Sequence, residues 1–221
     1  KNYNVVMLGR NISNLIPDDT EKKNYMSVEC DVSKYEIVQK TFKNIFNKYG
    51  RIDVLFNNAG IGNPANTIDL ISKDQWDNLI DINLNGSFYC AKEAFFYMKK
   101  QNPKGGRIIN NGSISAHVPR PGSTPYTVSK HAITGLTKSI SLDGRKFNIS
   151  CSQIDIGNAA TDMTKKMSEG ITQANGDILR EPTMNVRHVA QSVFNIAELP
   201  LDTNIQFMTI MASSMPYIGR G

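Results

Sequence analysis

The chain has 221 residues with 40% hydrophobic and 20% charged side chains, enough for one sizeable core and unlike a disordered or fibrous sequence. Its net charge of +5 suits an anionic ligand, but no dense Lys/Arg cluster with interleaved aromatics points to nucleic acid. Three cysteines, Cys30, Cys90 and Cys151, lie far apart without CxxC spacing, which argues against a disulfide framework or a zinc site and for a reducing compartment.

No apolar run approaches a membrane span, and the apolar part of KNYNVVMLGR is too short for a signal peptide, so a cytoplasmic protein is expected. NVVMLG (4–9) is an apolar, β-branched run ending in Gly and predicts a strand. YMSVECD (25–31) predicts a second strand ending at Asp31, after which Ser33 and Glu36 stand at capping-box spacing. Ile37, Val38, Thr41, Phe42, Ile45, Phe46 and Tyr49 then recur at helical spacing until Gly50. RIDVLFNN (51–58) is nearly continuous in apolar residues, the pattern of a strand covered on both faces.

Ser72 and Gln75 form a second capping-box pair, opening a long helix that runs toward Met98 and stops at NPKGG. A strand over 107–113, a helix over 125–142 with Pro125 in its first turn, a strand over 148–156, a helix over 186–198 and a strand over 205–212 complete the series. The polar stretch 163–185 is longer than an ordinary connection and is expected to be an irregular, mobile functional segment. Alternating strands and helices predict one α/β domain, a Rossmann-like doubly wound parallel sheet with helices on both faces. Ligands of such sheets sit beyond the carboxyl ends of the strands, where Asp31, Asn57 to Gly60, Ser113 and Gly157 all fall.

Tyr126 and Lys130 stand four apart, on one face of the predicted helix. A free phenol near pKa 10 is a poor base at neutral pH, and a nearby ammonium is expected to lower it into a useful range. Such a phenol can exchange a proton with an alcohol or carbonyl. Ser113 lies 13 residues upstream at a strand end, and Asn83 lies within DINLNGSF.

Six motifs in order, CDVS (30–33), NNAG (57–60), NLNG (83–86), NGSIS (111–115), YTVSK (126–130) and IGNAATDM (156–163), closely resemble the short-chain dehydrogenase/reductase family over nearly the whole chain. The resemblance implies an NAD(P)-dependent oxidoreductase acting on a secondary alcohol or its ketone. Tyr126 would be the general acid/base and Lys130 would hold the nicotinamide ribose while acidifying Tyr126. Ser113 would hydrogen-bond the substrate oxygen, and Asn83 would position a water leading to solvent. Asp31 and Val32 would meet the adenine; Asn57, Ala59 and Gly60 would shape the floor beside the ribose and steady the sheet. Gly157 matches the family's Pro-Gly, although Ile156 replaces the proline, and Ala159 and Thr161 would contact the carboxamide. At LGRN (8–11), Gly9 carries no carboxylate and Arg10 can pair with a 2′-phosphate, which favours NADP(H) over NAD(H).

The family pattern also places a strand, a glycine-rich turn and a helix, about 30 residues, ahead of Lys1. That first strand would lie in the middle of the sheet, so unpaired backbone is expected without it. Homotetramers or homodimers are implied, joined through helices near 76–100 and 126–146, with MPYIGRG (215–221) as a further contact and no nucleic acid or membrane partner. The alternative is a catalytically silent subunit that assembles with an active partner. A serine hydrolase built on Ser113 and His117 fits poorly, since no GxSxG elbow is present.

Overall fold

The computed structural model describes residues 3–11, 24–62, 65–164 and 169–218. Its strands in chain order are β1 (Val5–Gly9), β2 (Tyr25–Glu29), β3 (Val54–Asn57), β4 (Gly106–Asn111), β5 (Ile149–Ile156), β6 (Ile171–Thr172), β7 (Ile178–Leu179) and β8 (Phe207–Ile210). β1 pairs with β2, and a four-stranded sheet runs β3-β4-β5-β8, every pairing parallel. The helices are α1 (Tyr35–Tyr49), α2 (Lys73–Ile80), α3 (Gly86–Lys100), α4 (Thr124–Gly144) and α5 (Val186–Glu198).

Parallel strands in two pieces replace the single sheet expected from the alternation. No residue of β1 is fully buried and Val54 to Phe56 of β3 are half-buried, whereas β4 and β5 are buried along nearly their whole length. Both pieces nonetheless share a core: Val6, Leu8 and Met26 pack on the cluster that holds Val38 and Phe42 of α1, Ala94 and Met98 of α3, and Ile108 and Cys151.

Neighbouring residues on a strand point to opposite faces, so Ile108 enters that cluster while Ile109 enters a second one with Ile154 and with Val189 and Ile196 of α5. Each such aliphatic side chain contributes about 1.5–3 kcal/mol on burial, which explains why the central strands read as continuous apolar runs.

Local details depart from the sequence reading at four places. The Ser33–Glu36 capping box does not form, because the Ser33 amide and hydroxyl both donate to Asp31 Oδ1, at 3.0 and 2.7 Å. The Ser72–Gln75 box does form, with both reciprocal hydrogen bonds. The long helix toward Met98 is interrupted by a π-helical turn, Asp81–Asn85, between α2 and α3. The last strand is shorter than 205–212, and the stretch 163–185 is not irregular throughout, since β6 and β7 form an antiparallel hairpin within it. Among the described residues no helix is long and apolar enough to cross a membrane.

Candidate active site

Four side chains singled out from the sequence converge at the carboxyl ends of β3, β4 and β5. Ser113 follows β4 and caps a short 3₁₀ turn, its hydroxyl accepting the Ser115 amide at 3.1 Å. The Tyr126 phenol, on the first turns of α4, has the Ser113 side chain as its polar neighbour. One helical turn on, Lys130 is 5% exposed, and its ammonium donates to the Asn111 carbonyl at 2.7 Å and lies 5.5 Å from the centre of the Tyr126 ring. Pro125 sits at the start of α4, where its fixed φ and missing N–H suit the first turn.

Asn83 reaches the same place by a different device. The π turn adds a residue to the helix and brings the buried Asn83 amide against the loop after β3. There it accepts from the Ile61 amide at 2.8 Å, donates to the Ile61 carbonyl at 3.0 Å and approaches Ser129 of α4 at 3.5 Å. Gly60 lies against Asn83: a Cβ there would stand 3.4 Å from the Asn83 Oδ1, in van der Waals contact.

Burial dominates the electrostatics. It pushes the Tyr126 phenol above its ordinary value, with the Ser113 hydroxyl opposing the rise. The expected lowering is thus not what the pocket alone imposes, because desolvating a phenolate costs more than one hydroxyl returns. Burial also draws the Lys130 ammonium down to about 8, against the pull of the Asp155 carboxylate. The Cys90 and Cys151 thiols are pushed up to about 12 by burial, which makes them inert packing groups.

The cofactor candidates divide. Gly9, Arg10, Asp31, Val32, Ala59 and Gly60 line one pocket of about 100 Å³ where β1 and β2 meet the loop after β3. Burial raises Asp31, but hydrogen bonds from Ser33 and the charges of Arg10 and Lys34 outweigh it and hold the carboxyl below its usual range. Asn57 does not line this pocket. Its amide donates to the Ser87 carbonyl at 3.1 Å and Asn110 Oδ1 at 2.9 Å, tying β3 to α3 and β4. Gly157 is required by packing, since a Cβ would come within 2.6 Å of Met211. The Ala159 amide donates to the Gly157 carbonyl at 2.9 Å and the Thr161 amide to Thr164 Oγ1 at 3.0 Å.

Three features escaped the sequence reading. Asp155, buried on β5, accepts from the Ser113 amide at 3.1 Å and from His117 Nε2 at 2.8 Å, so His117 faces a carboxylate and not the Ser113 hydroxyl. Arg120 and Glu181 form a two-pronged buried ion pair, 2.7 and 2.6 Å, joined by Asn158 and by Gln173 beside the β6–β7 hairpin. It fastens the 163–185 stretch to the loop after Ser113, while Met163 at the other end packs over Gly62. A charged residue inside QIDI is the one signal in the sequence that marks Asp155.

Comparison with known proteins agrees with this arrangement. Residues 1–172 match the short chain dehydrogenase family, and the chain belongs to it. It is therefore related to nicotinamide-dependent enzymes acting on CH–OH and C=O groups. Carbonyl reductase family member 4 of Xenopus laevis is 36% identical over 92% of this chain and 84% of its own length. A 3beta-hydroxysteroid dehydrogenase of Mediterraneibacter gnavus is 37% identical over 65% of this chain, a match spanning only 51% of that relative. The structure of ElxO with NADP bound superposes with a TM-score of 0.81 at 25% identity, covering 94% of this chain and 87% of ElxO.

Proposed function

We propose that the protein is an NAD(P)-dependent oxidoreductase that interconverts a secondary alcohol and its ketone, with Tyr126 as general acid/base. The observation that carries this reading is the Ser113 side chain beside the Tyr126 phenol, with Lys130 buried one turn away on the same helix. Two neighbouring hydroxyls can bind one carbonyl oxygen, and the donor contact strengthens as negative charge develops on it. Tyr126 then moves the proton to or from that oxygen. A protonated Lys130 stabilises the phenolate left behind, and each of the two buried charges relieves the desolvation of the other. Asn83 holds the loop after β3 against α4.

The residues present fit a dinucleotide, which when bound supplies or accepts the hydride. Arg10, exposed at the rim of the small pocket, and Asp31 and Val32 beside it would hold the adenosine end. Gly60 and Ala59 would floor the pocket, and Lys130 would meet the nicotinamide ribose. Arg10 favours NADP(H), because a planar guanidinium pairs well with a phosphate. Residues 1–221 form one such unit with 163–185 as its substrate lid, and homodimers or homotetramers join through α3 and α4. The three buried free cysteines suit cytoplasmic residence.

The test is oxidation of NADPH and NADH against a panel of ketones, in parallel with direct dinucleotide binding. Tyr126→Phe should lower turnover roughly a thousandfold while binding persists. Arg10→Ala should weaken NADPH about tenfold and leave NADH unchanged. Failure to bind either dinucleotide would leave the silent-subunit alternative.

A further inference from the structure

The buried Arg120–Glu181 pair does more than fasten two segments together. Its two-pronged contact fixes the plane of the guanidinium as well as its charge. The same fork reaches a third element: Arg120 Nη2 also donates to Asn158 Oδ1 at 3.2 Å, and Asn158 Nδ2 donates to Glu181 Oε2 at 2.7 Å. Asn158 is 3% exposed and stands directly after Gly157, in the segment that leaves β5.

Two corners of this triangle are tied into backbone that borders the site. The Arg120 carbonyl accepts the Ser123 hydroxyl at 2.7 Å, and that hydroxyl meets Thr127 Oγ1 at 2.9 Å, on the residue next to Tyr126. At Asn158, the Met184 amide donates to the Asn158 carbonyl and the Ala160 amide to the Met184 carbonyl, both at 2.8 Å. The network therefore runs from the first turn of α4 to the backbone on either side of Ala159. Apolar contact is non-directional, whereas charge-assisted hydrogen bonds hold elements in one register.

We propose that Asn158 is a positioning residue of the site: by joining the Arg120–Glu181 pair it holds the backbone around Ala159 in register with the start of α4, and so sets where a nicotinamide ring rests against the Tyr126 phenol. The inference rests on reading Tyr126 as the acid/base and Ala159 and Thr161 as the carboxamide contact. A reacting ring must lie within a fraction of an ångström of its productive position, so a device that fixes this register serves the reaction without touching it.

The test uses the full chain and two measurements. Asn158→Ala leaves both prongs of the Arg120–Glu181 pair in place and removes only the third corner. Amide hydrogen exchange, followed by NMR on the free chain, should quicken about tenfold at Ala160 and Met184 and stay unchanged in the middle of β4. Binding of NADPH should weaken about tenfold, while 2′-phospho-ADP-ribose, the same nucleotide without its nicotinamide, should bind as to wild type. Unchanged exchange at both amides overturns the proposal, and so does equal weakening of the two ligands. Should Asn158→Ala fail to fold, Arg120→Lys keeps the charge opposite Glu181 but loses the fork that reaches Asn158, and the same two results are expected of it. Quickened exchange in the variant, with a wild type that binds neither ligand, would sink the dinucleotide reading and leave the tie through Asn158 standing.

Discussion

A lysine ammonium with 5% exposure is an expensive group to keep charged, and Lys130 shows the cost as a pKa drawn down to about 8. An unfolded lysine holds its proton to about 10.4. Between these values the unfolded chain binds more protons than the folded one, so stability rises with pH through that window. The rise amounts to about 3 kcal/mol at 1.36 kcal/mol per pH unit. Urea denaturation at pH 7 and pH 10 should show it in the wild type and not in Lys130→Met. Tyr126, Lys130, Ser113 and Asn83 were all named from the sequence because each belongs to a spaced motif, and the fold gathers them at one end of the sheet. Asp155 was not. A carboxylate in a strand reads as a surface residue until β5 is placed inside the sheet, between β4 and β8, and Asp155 is found buried. Asn57 was read both as floor beside the ribose and as a steadier of the sheet, and its hydrogen bonds to Ser87 and Asn110 belong to the second of these.

Elements were legible where periodicity and capping agreed, as in α1, stopped at Gly50 with φ 74°, and in α2, opened by the Ser72–Gln75 box. They were not legible where tertiary contacts decide. The π turn at Asp81–Asn85 leaves the local pattern helical, and only the docking of Asn83 on Ile61 gives the extra residue a purpose. The β6–β7 hairpin is two residues to a strand, too short for alternation to register, and is held from outside by the Arg120–Glu181 pair. Burial alone would raise Glu181, but Arg120, Gln173 and Asn158 outweigh it and bring the carboxyl down to about 2. A folded pKa below the unfolded value means stability that is present above about pH 4.3 and lost as pH falls toward 2. Glu181→Gln leaves the Arg120 charge buried and unpaired, which costs about 3–5 kcal/mol. Thermal unfolding at pH 7 should show that loss, and the variant should show a flatter acid limb between pH 4 and 2. Because the pair ties the segment proposed as the lid to the loop after Ser113, substrate KM should rise by a larger factor than kcat falls.

At the scale of the whole molecule, the surface opposite the α5 face exposes a group of large apolar side chains. Phe88 and Phe96 on α3 and Leu142 on α4 are 46%, 43% and 62% exposed, and a groove of about 580 Å³ runs between the two helices. Helices α3 and α4 pack on one another, and their outer faces are where the proposed second copy would dock. The rim of the groove is basic, with Lys92, Lys99, Arg145 and Lys146 against the single carboxylate of Asp143. A two-fold pairing across these helices therefore brings like charges together around an apolar centre. Association through it is opposed by electrostatics and driven by burial, so screening should strengthen it. Sedimentation should show the mass average rising between low salt and about 0.5 M salt, where the Debye length falls below 5 Å. Phe88→Asp should stay monomeric at both concentrations, since a carboxylate at the centre of the seam is desolvated on pairing at a cost of several kcal/mol. A dimer that weakens with salt would place the contact elsewhere, on a surface joined by ion pairs and not by these two helices.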